Sequence, residues 1–173
     1  MKQEGEKAVL LAAIHMLIAP CGYAPPRSEA PEGIRTIAVE TFTTRVAHVA
    51  VGSWVAEAVR REILVARSLR LAPGSRADAT LRGEVLAIDD GVTALGTGDS
   101  GPVAALSGAA IVVRLRLIRR DGEVVADLGE IRARAVRSVS RFADDDTARS
   151  DRALRDAAQE LGRRIVRVLL EGP

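Results

Sequence analysis

Aromatic side chains are nearly absent, with two Phe, one Tyr and one Trp in 173 residues, and the formal net charge is only +2. Nucleic-acid binding is therefore poorly supported, because the chain offers neither a basic field nor platforms for base stacking. Histidine is as scarce, with His15 and His48 alone, so no zinc ligand set, His-based triad or Cys–His pair assembles from the domain that holds His48. Cysteine occurs once, at Cys21. A single thiol makes no internal disulfide and is a buried filler, a reactive group or an attachment point. Lysine is confined to Lys2 and Lys7, so every later cation is an arginine, a bias of composition or a set of planar forks suited to carboxylate and phosphate.

What the chain does have is 47% hydrophobic and 28% charged residues, enough for one globular domain with a real core. The run Ala8 to Pro20 (AVLLAAIHMLIAP) is apolar apart from His15. It is shorter than the ~20 residues a membrane-crossing helix needs and fits the roughly 7–15 residue apolar part of a secretion signal. A buried N-terminal helix is the other reading, disfavoured by Pro20, Pro25, Pro26 and Pro31 following at once. Ile18-Ala19-Pro20-Cys21 resembles the lipobox of bacterial lipoproteins, in which cleavage precedes a cysteine that is then acylated; Ile18 and Pro20 stand where such boxes usually hold Leu and Gly or Ala. This assigns residues 1–20 to a signal peptide, 21–33 to a lipidated cysteine with a Pro/Gly-rich tether, and 34–173 to one domain. Removing the leader takes two lysines and two glutamates and leaves the net charge unchanged.

Within the domain, Ile34–Val39 alternates as a first strand, and Val51, Val55, Ala58, Val59, Ile63 and Ala66 recur at helical spacing with Ser53 as the expected N-cap. Asp78–Ile88 follows as a strand with Ala79, Leu81, Gly83, Val85 and Ala87 on one face. Ala109–Arg119 places Ile111, Val113, Leu115 and Leu117 opposite Arg114 and Arg116. Asp121-Gly122 then marks a hairpin into a strand from Val124 to about Ser140, in which Ile131, Ala133 and Ala135 oppose Glu130, Arg132 and Arg134. A final helix opens at Asp144–Thr147 and runs to about Leu170, with Arg163, Arg164 and Arg167 towards the negative end of its dipole. The expected fold is α+β, two helices packed on one face of a mixed four-stranded sheet in the order β-α-β-β-β-α.

Chemistry-bearing motifs are few. Gly96–Gly101 (GTGDSG) spells G-x-G-x-x-G, but Pro102 and a strand follow where a dinucleotide site needs a helix, so Asp89–Gly108 reads as a flexible connection. Asp144–Asp146 reads as a capping cluster in preference to a cation site. No catalytic residue, metal site or cofactor is expected. Arg114, Arg116, Arg132 and Arg134 sit at alternate positions on two paired strands, which groups them on one face. They form an anion-binding surface or a solvated face partnered by Glu84 and Glu130.

The order of segments carries more than any one of them. "CGY", the tether "PPRSEAPEG", "IRTIAVETF", "VAEAVRREI", "RADATLRGEV", the Arg/Val strand, "DGEVV" and "ALRDAAQELGRRIVRVLLEG" together resemble the LptE family of lipopolysaccharide-assembly lipoproteins, over Cys21 to Gly172. The resemblance implies a noncatalytic outer-membrane lipoprotein facing the periplasm, anchored through acylated Cys21. It would plug and help assemble the LptD β-barrel and assist lipopolysaccharide delivery to the outer leaflet. Arg114, Arg116, Arg132 and Arg134 are then candidates for lipid A phosphates or for the barrel wall. An outer-membrane lipoprotein that regulates a cell-wall synthase shares the anchor and tether, and a periplasmic hydrolase with a carboxylate site is a third reading.

Overall fold

The computed structural model describes residues 33–98, 101–138 and 146–171. The leader, Cys21, the tether, Asp144 and Asp145 lie outside them. The elements are β1 (Thr36–Val39), β2 (Thr43–Thr44), α1 (Ala50–Ala66), β3 (Arg70–Leu71), β4 (Ala79–Gly98), β5 (Gly101–Arg119), β6 (Val124–Ser138) and α2 (Asp146–Glu171). The strands form one mixed sheet in the order β3-β1-β4-β5-β6, with β2 also paired to β4. β1 runs parallel to β3 and β4, whereas β4, β5 and β6 are antiparallel.

The α+β class and the pair of helices match expectation, but the sheet has six strands where the sequence suggested four. The two extra strands have two residues each, too short for a period of two to register. A larger difference lies at Asp89–Gly108, which is not a flexible connection: β4 runs on to Gly98 and β5 starts at Gly101, paired from Asp89↔Ala110 out to Gly98↔Gly101. Register shifts at Val85/Ala87, Val92/Ala94 and Ala94/Leu95 break the alternation that identifies a strand, while the backbone ladder continues regardless of side chain. The first of these bulges also turns Ala87 outwards, away from the core face on which it was expected.

The strands and helices otherwise follow their apolar periods. On β5, Ile111, Val113, Leu115 and Leu117 are fully buried, while Arg114 and Arg116 face out. Val51, Val55, Val59 and Ile63 of α1 meet Leu154, Leu161 and Ile165 of α2 in the same core, and no charged side chain is buried among the described residues. Ser53 is not the N-cap. The helix starts a turn earlier, at Ala50, and the Ser53 hydroxyl donates inside it to the Ala50 carbonyl at 2.7 Å. Arg163 and Arg164 lie short of the last turn of α2; the first pairs with Glu160 and the second donates to the Arg132 carbonyl.

Two details shape the outer sheet face. Phe42, between β1 and β2, is buried, and its ring occupies the space a side chain at Gly83 would need. That clamps the segment from Glu40 to Arg45 along the edge of β4. On β6, Leu115 faces Gly129 but Arg116 faces Asp127, so Leu128 is an extra residue. Gly129 absorbs the bulge at φ +66, and Leu128 turns into the core while Asp127 and Glu130 both face out.

Candidate functional site

The sheet face opposite the helices holds an open cleft of about 490 Å³, walled by Glu40, Thr41, Thr43 and Arg45 on one side and floored by Arg82, Glu84, Arg114 and Arg116. The strand register sets its charges in rows. In one row Glu84 lies opposite Arg114, and Arg114 opposite Glu130. Arg45 pairs with Glu84, and Arg114 donates to Glu130 at 2.6 Å, so charges alternate across the sheet. The next row differs: Arg82 lies directly opposite Arg116 in the register of β4 and β5, and each guanidinium is paired on its outer flank, Arg82 with Glu40 at 3.0 Å and Arg116 with Asp127 at 3.3 Å. Like charges at directly opposed positions repel, so this is where an added anion gains most. Farther along β6, Arg132 and Arg134 share one carboxylate, Asp89, at 3.7 and 3.6 Å.

The four arginines singled out from sequence are thus divided between two places. Arg114 and Arg116 lie in the cleft, while Arg132 and Arg134 face Val112 and Ala110 of β5 and gather at Asp89. Glu130 partners Arg114 as expected, whereas Glu84 is held by Arg45. Arg45 and Arg82 belong to the site and were not singled out. Arg82 showed its face in the alternation of "DATLRGEV", but the bulged hairpin concealed which β5 residue it meets. Arg45 follows a two-residue strand and carried no sequence signal.

All these ion pairs are solvent-exposed, and each contributes roughly 0–1 kcal/mol, so phosphate can exchange with a carboxylate at small cost. A phosphate brings more charge and suits the guanidinium fork. Asp127 is held below the usual carboxylate range, chiefly by the Gly129 backbone N–H and then by Arg116. Asp78, at the edge of β1, is lowered by hydrogen bonds from the Thr36 hydroxyl and the Arg35 and Thr36 backbone N–H groups. Both shifts favour the ionised carboxylate, the reverse of what a general acid needs.

The other motifs resolve structurally. The GTGDSG glycines lie at the ends of β4 and β5, with no helix following. Asp146 opens α2. His48 is paired with Asp151 at 3.1 Å and tilted against Trp54, over which the Arg155 guanidinium sits at 4.8 Å. Among the described residues no three His, Cys, Asp or Glu side chains gather as a metal site.

Residues 34–169 match a family model described as LptE: Lipopolysaccharide-assembly. Among solved structures, a Xanthomonas campestris protein of the DUF330 family is similar at a TM-score of 0.54 and 15% identity, over 83% of this chain and 87% of that one. An uncharacterized lipoprotein B from Nitrosomonas europaea is similar at a TM-score of 0.48 and 19% identity, over 83% and 86%. The Xanthomonas likeness speaks for the fold alone. No curated protein matches the chain.

Proposed function

The chain belongs to the LptE lipopolysaccharide-assembly family, and from that premise we propose that it is a noncatalytic outer-membrane lipoprotein, anchored through acylated Cys21 on the periplasmic face. In this reading it plugs and helps assemble an LptD-type β-barrel, and its outer sheet face guides lipopolysaccharide through the complex. Family membership places the chain in lipopolysaccharide assembly and gives it partners in that machinery. The finer role rests on one observation, two arginines, Arg82 and Arg116, at directly opposed positions on the floor of one open cleft. Such a pair holds a phosphate monoester between two forks, and lipid A displays phosphates at its polar end. Arg132 and Arg134, sharing Asp89, offer a second position along the same face. A saccharide lipid that passes along the sheet meets two cationic stations separated by a compensated row, which allows binding without trapping.

Purified lipopolysaccharide tests this reading by titration against charge reversals. Arg82→Glu with Arg116→Glu is expected to weaken binding by about a hundredfold or more, consistent with losing two charge-assisted contacts of roughly 1.5 kcal/mol or more each. Arg114→Glu, in the alternating row, should cost less. Unchanged binding in the double variant assigns the face to the barrel wall or to solvent.

A further inference from the structure

Most described arginines on the sheet face have a carboxylate partner, but four at one end of the domain do not. Arg35, Arg67, Arg70 and Arg76 form no ion pair among the described residues. All four are exposed. The topology gathers them: Arg70 of β3 pairs with Thr36 of β1, and its N–H donates to the Arg35 carbonyl at 3.0 Å. Arg67 is the left-handed residue that ends α1, three positions before Arg70. Arg76 lies in the turn that leads to Asp78, whose carboxylate caps Arg35 and Thr36. Arg120 belongs to the same end, donating to the Ala77 carbonyl at 3.0 Å. Of the acidic groups there, Asp78 is engaged by β1, Glu123 by Arg119 and Asp121 by the Glu123 N–H, which leaves Glu171, exposed at the end of α2, as a single carboxylate against the four arginines.

Beside these cations the last turn of α1 exposes Leu64 at 64% and Val65 at 70%. The core has no use for them, since Ile63 alone of that turn is buried. Apolar side chains bordered by unpaired arginines are the combination that lies in a membrane interface, the apolar groups entering the headgroup boundary and the cations meeting lipid phosphates. This is also the end where the described chain begins, at Gly33. Cys21 is twelve residues earlier, a leash that spans at most ~40 Å. If the sulfur is held in a bilayer, this end is the part of the domain nearest to it. The leash turns a weak surface affinity into an intramolecular one.

We propose that the end formed by the last turn of α1, β3 and the Pro73–Ala77 turn is a docking surface for an anionic lipid bilayer, with Leu64 and Val65 entering the interface and Arg35, Arg67, Arg70 and Arg76 meeting headgroup phosphates. The inference rests on the anchored reading for its leash, and on exposure and charge for the surface itself. It fixes the orientation of the domain: both helices stand with this end towards the membrane side of their anchor, and the arginine cleft on the opposite sheet face remains open.

The test uses the full chain extracted from membranes and reconstituted into phosphatidylcholine vesicles with or without phosphatidylglycerol. A fluorophore at Val65→Cys is compared with one at Ser53→Cys, about 18 Å away along the same helix. With phosphatidylglycerol present, lipid-borne quencher at headgroup depth is expected to quench the first several-fold more than the second. Combining Arg67→Glu, Arg70→Glu and Arg76→Glu should abolish the difference, since each arginine near such a surface accounts for roughly fivefold in affinity. Equal quenching at the two positions, or quenching indifferent to phosphatidylglycerol, overturns the proposal. So does quenching that appears only when a barrel protein is added to neutral vesicles. The unsubstituted chain reports on the anchor separately: uptake of maleimide by Cys21 shows a free thiol and refutes acylation, while the quenching comparison still decides the docking surface.

Discussion

Replacing Gly83 by alanine probes how the cleft wall is held. An added Cβ would lie 2.5 Å from two ring carbons of Phe42 and 2.7 Å from a third, whereas carbon atoms rest at about 3.5–4.0 Å. The ring must retreat by more than about 1 Å. It has nowhere to go, because Phe42 is only 3% exposed and its carbonyl oxygen already abuts Gly52 of α1. Overpacking of this kind costs about 1–3 kcal/mol, partly offset by the ~0.5–1 kcal/mol that alanine gains over glycine in a strand. Phe42→Ala alone removes a buried ring and should cost about 3–5 kcal/mol. In the double variant the clash disappears, so the two costs should fall short of additivity by about 1–2 kcal/mol. Urea unfolding followed by the fluorescence of Trp54, the sole tryptophan, measures all four corners of the cycle. The same contact carries the segment from Glu40 to Arg45 that walls the cleft, so Gly83→Ala should also weaken lipopolysaccharide binding, although no charge has changed. Additive costs within ~0.5 kcal/mol, or a neutral Gly83→Ala, would falsify the clamp.

Three other outcomes are expected. A Cβ at Gly162 would lie 2.9 Å from the backbone and Cβ of Ala58, so Gly162→Leu should destabilise the α1–α2 contact by about 1–3 kcal/mol in urea unfolding, and Ala58→Gly should restore part of the loss. The folded-state pKa of Asp78 lies below its ordinary value of 3.8, so its contribution to stability is present above that value and is lost as the pH falls through the folded pKa. Asp78→Asn should therefore flatten the acid limb of a stability profile below about pH 4, and a limb identical to wild type would show that the cap contributes nothing. Cys21→Ser should release the protein from membranes while leaving the far-UV circular dichroism of the domain intact, and a mutant that still fractionates with membranes would argue against the acyl anchor.

The parts of the fold that were legible in the sequence are those where one face is buried and regular. β5 shows this best, with four alternating apolar residues all inside and Arg114 and Arg116 outside. Both helices were visible for the same reason, and the hairpin was visible through its turn, where Gly122 takes φ +94. What escaped were features set by partners distant in sequence. β2 and β3 exist only because β4 and β1 lie alongside them. The outer halves of β4 and β5 are rich in glycine and alanine and carry bulges, so backbone pairing stabilises them without leaving a pattern of side chains. The site suffered from the same limit. Arginines at alternate positions were visible, but which stand side by side depends on a register that Leu86 and Leu128, as bulge residues, shift by one. Sequence alone therefore grouped Arg114, Arg116, Arg132 and Arg134, whereas the structure sets Arg116 opposite Arg82.

Native mass spectrometry of the protein gently extracted from membranes of its own host examines anchor and partner together. The expected species is a one-to-one complex with a large β-barrel protein, in which this chain begins at Cys21 and carries acyl chains. A chain that still begins at Met1 without an acyl increment, or one that emerges bound to a cell-wall synthase and no barrel, would contradict the assignment.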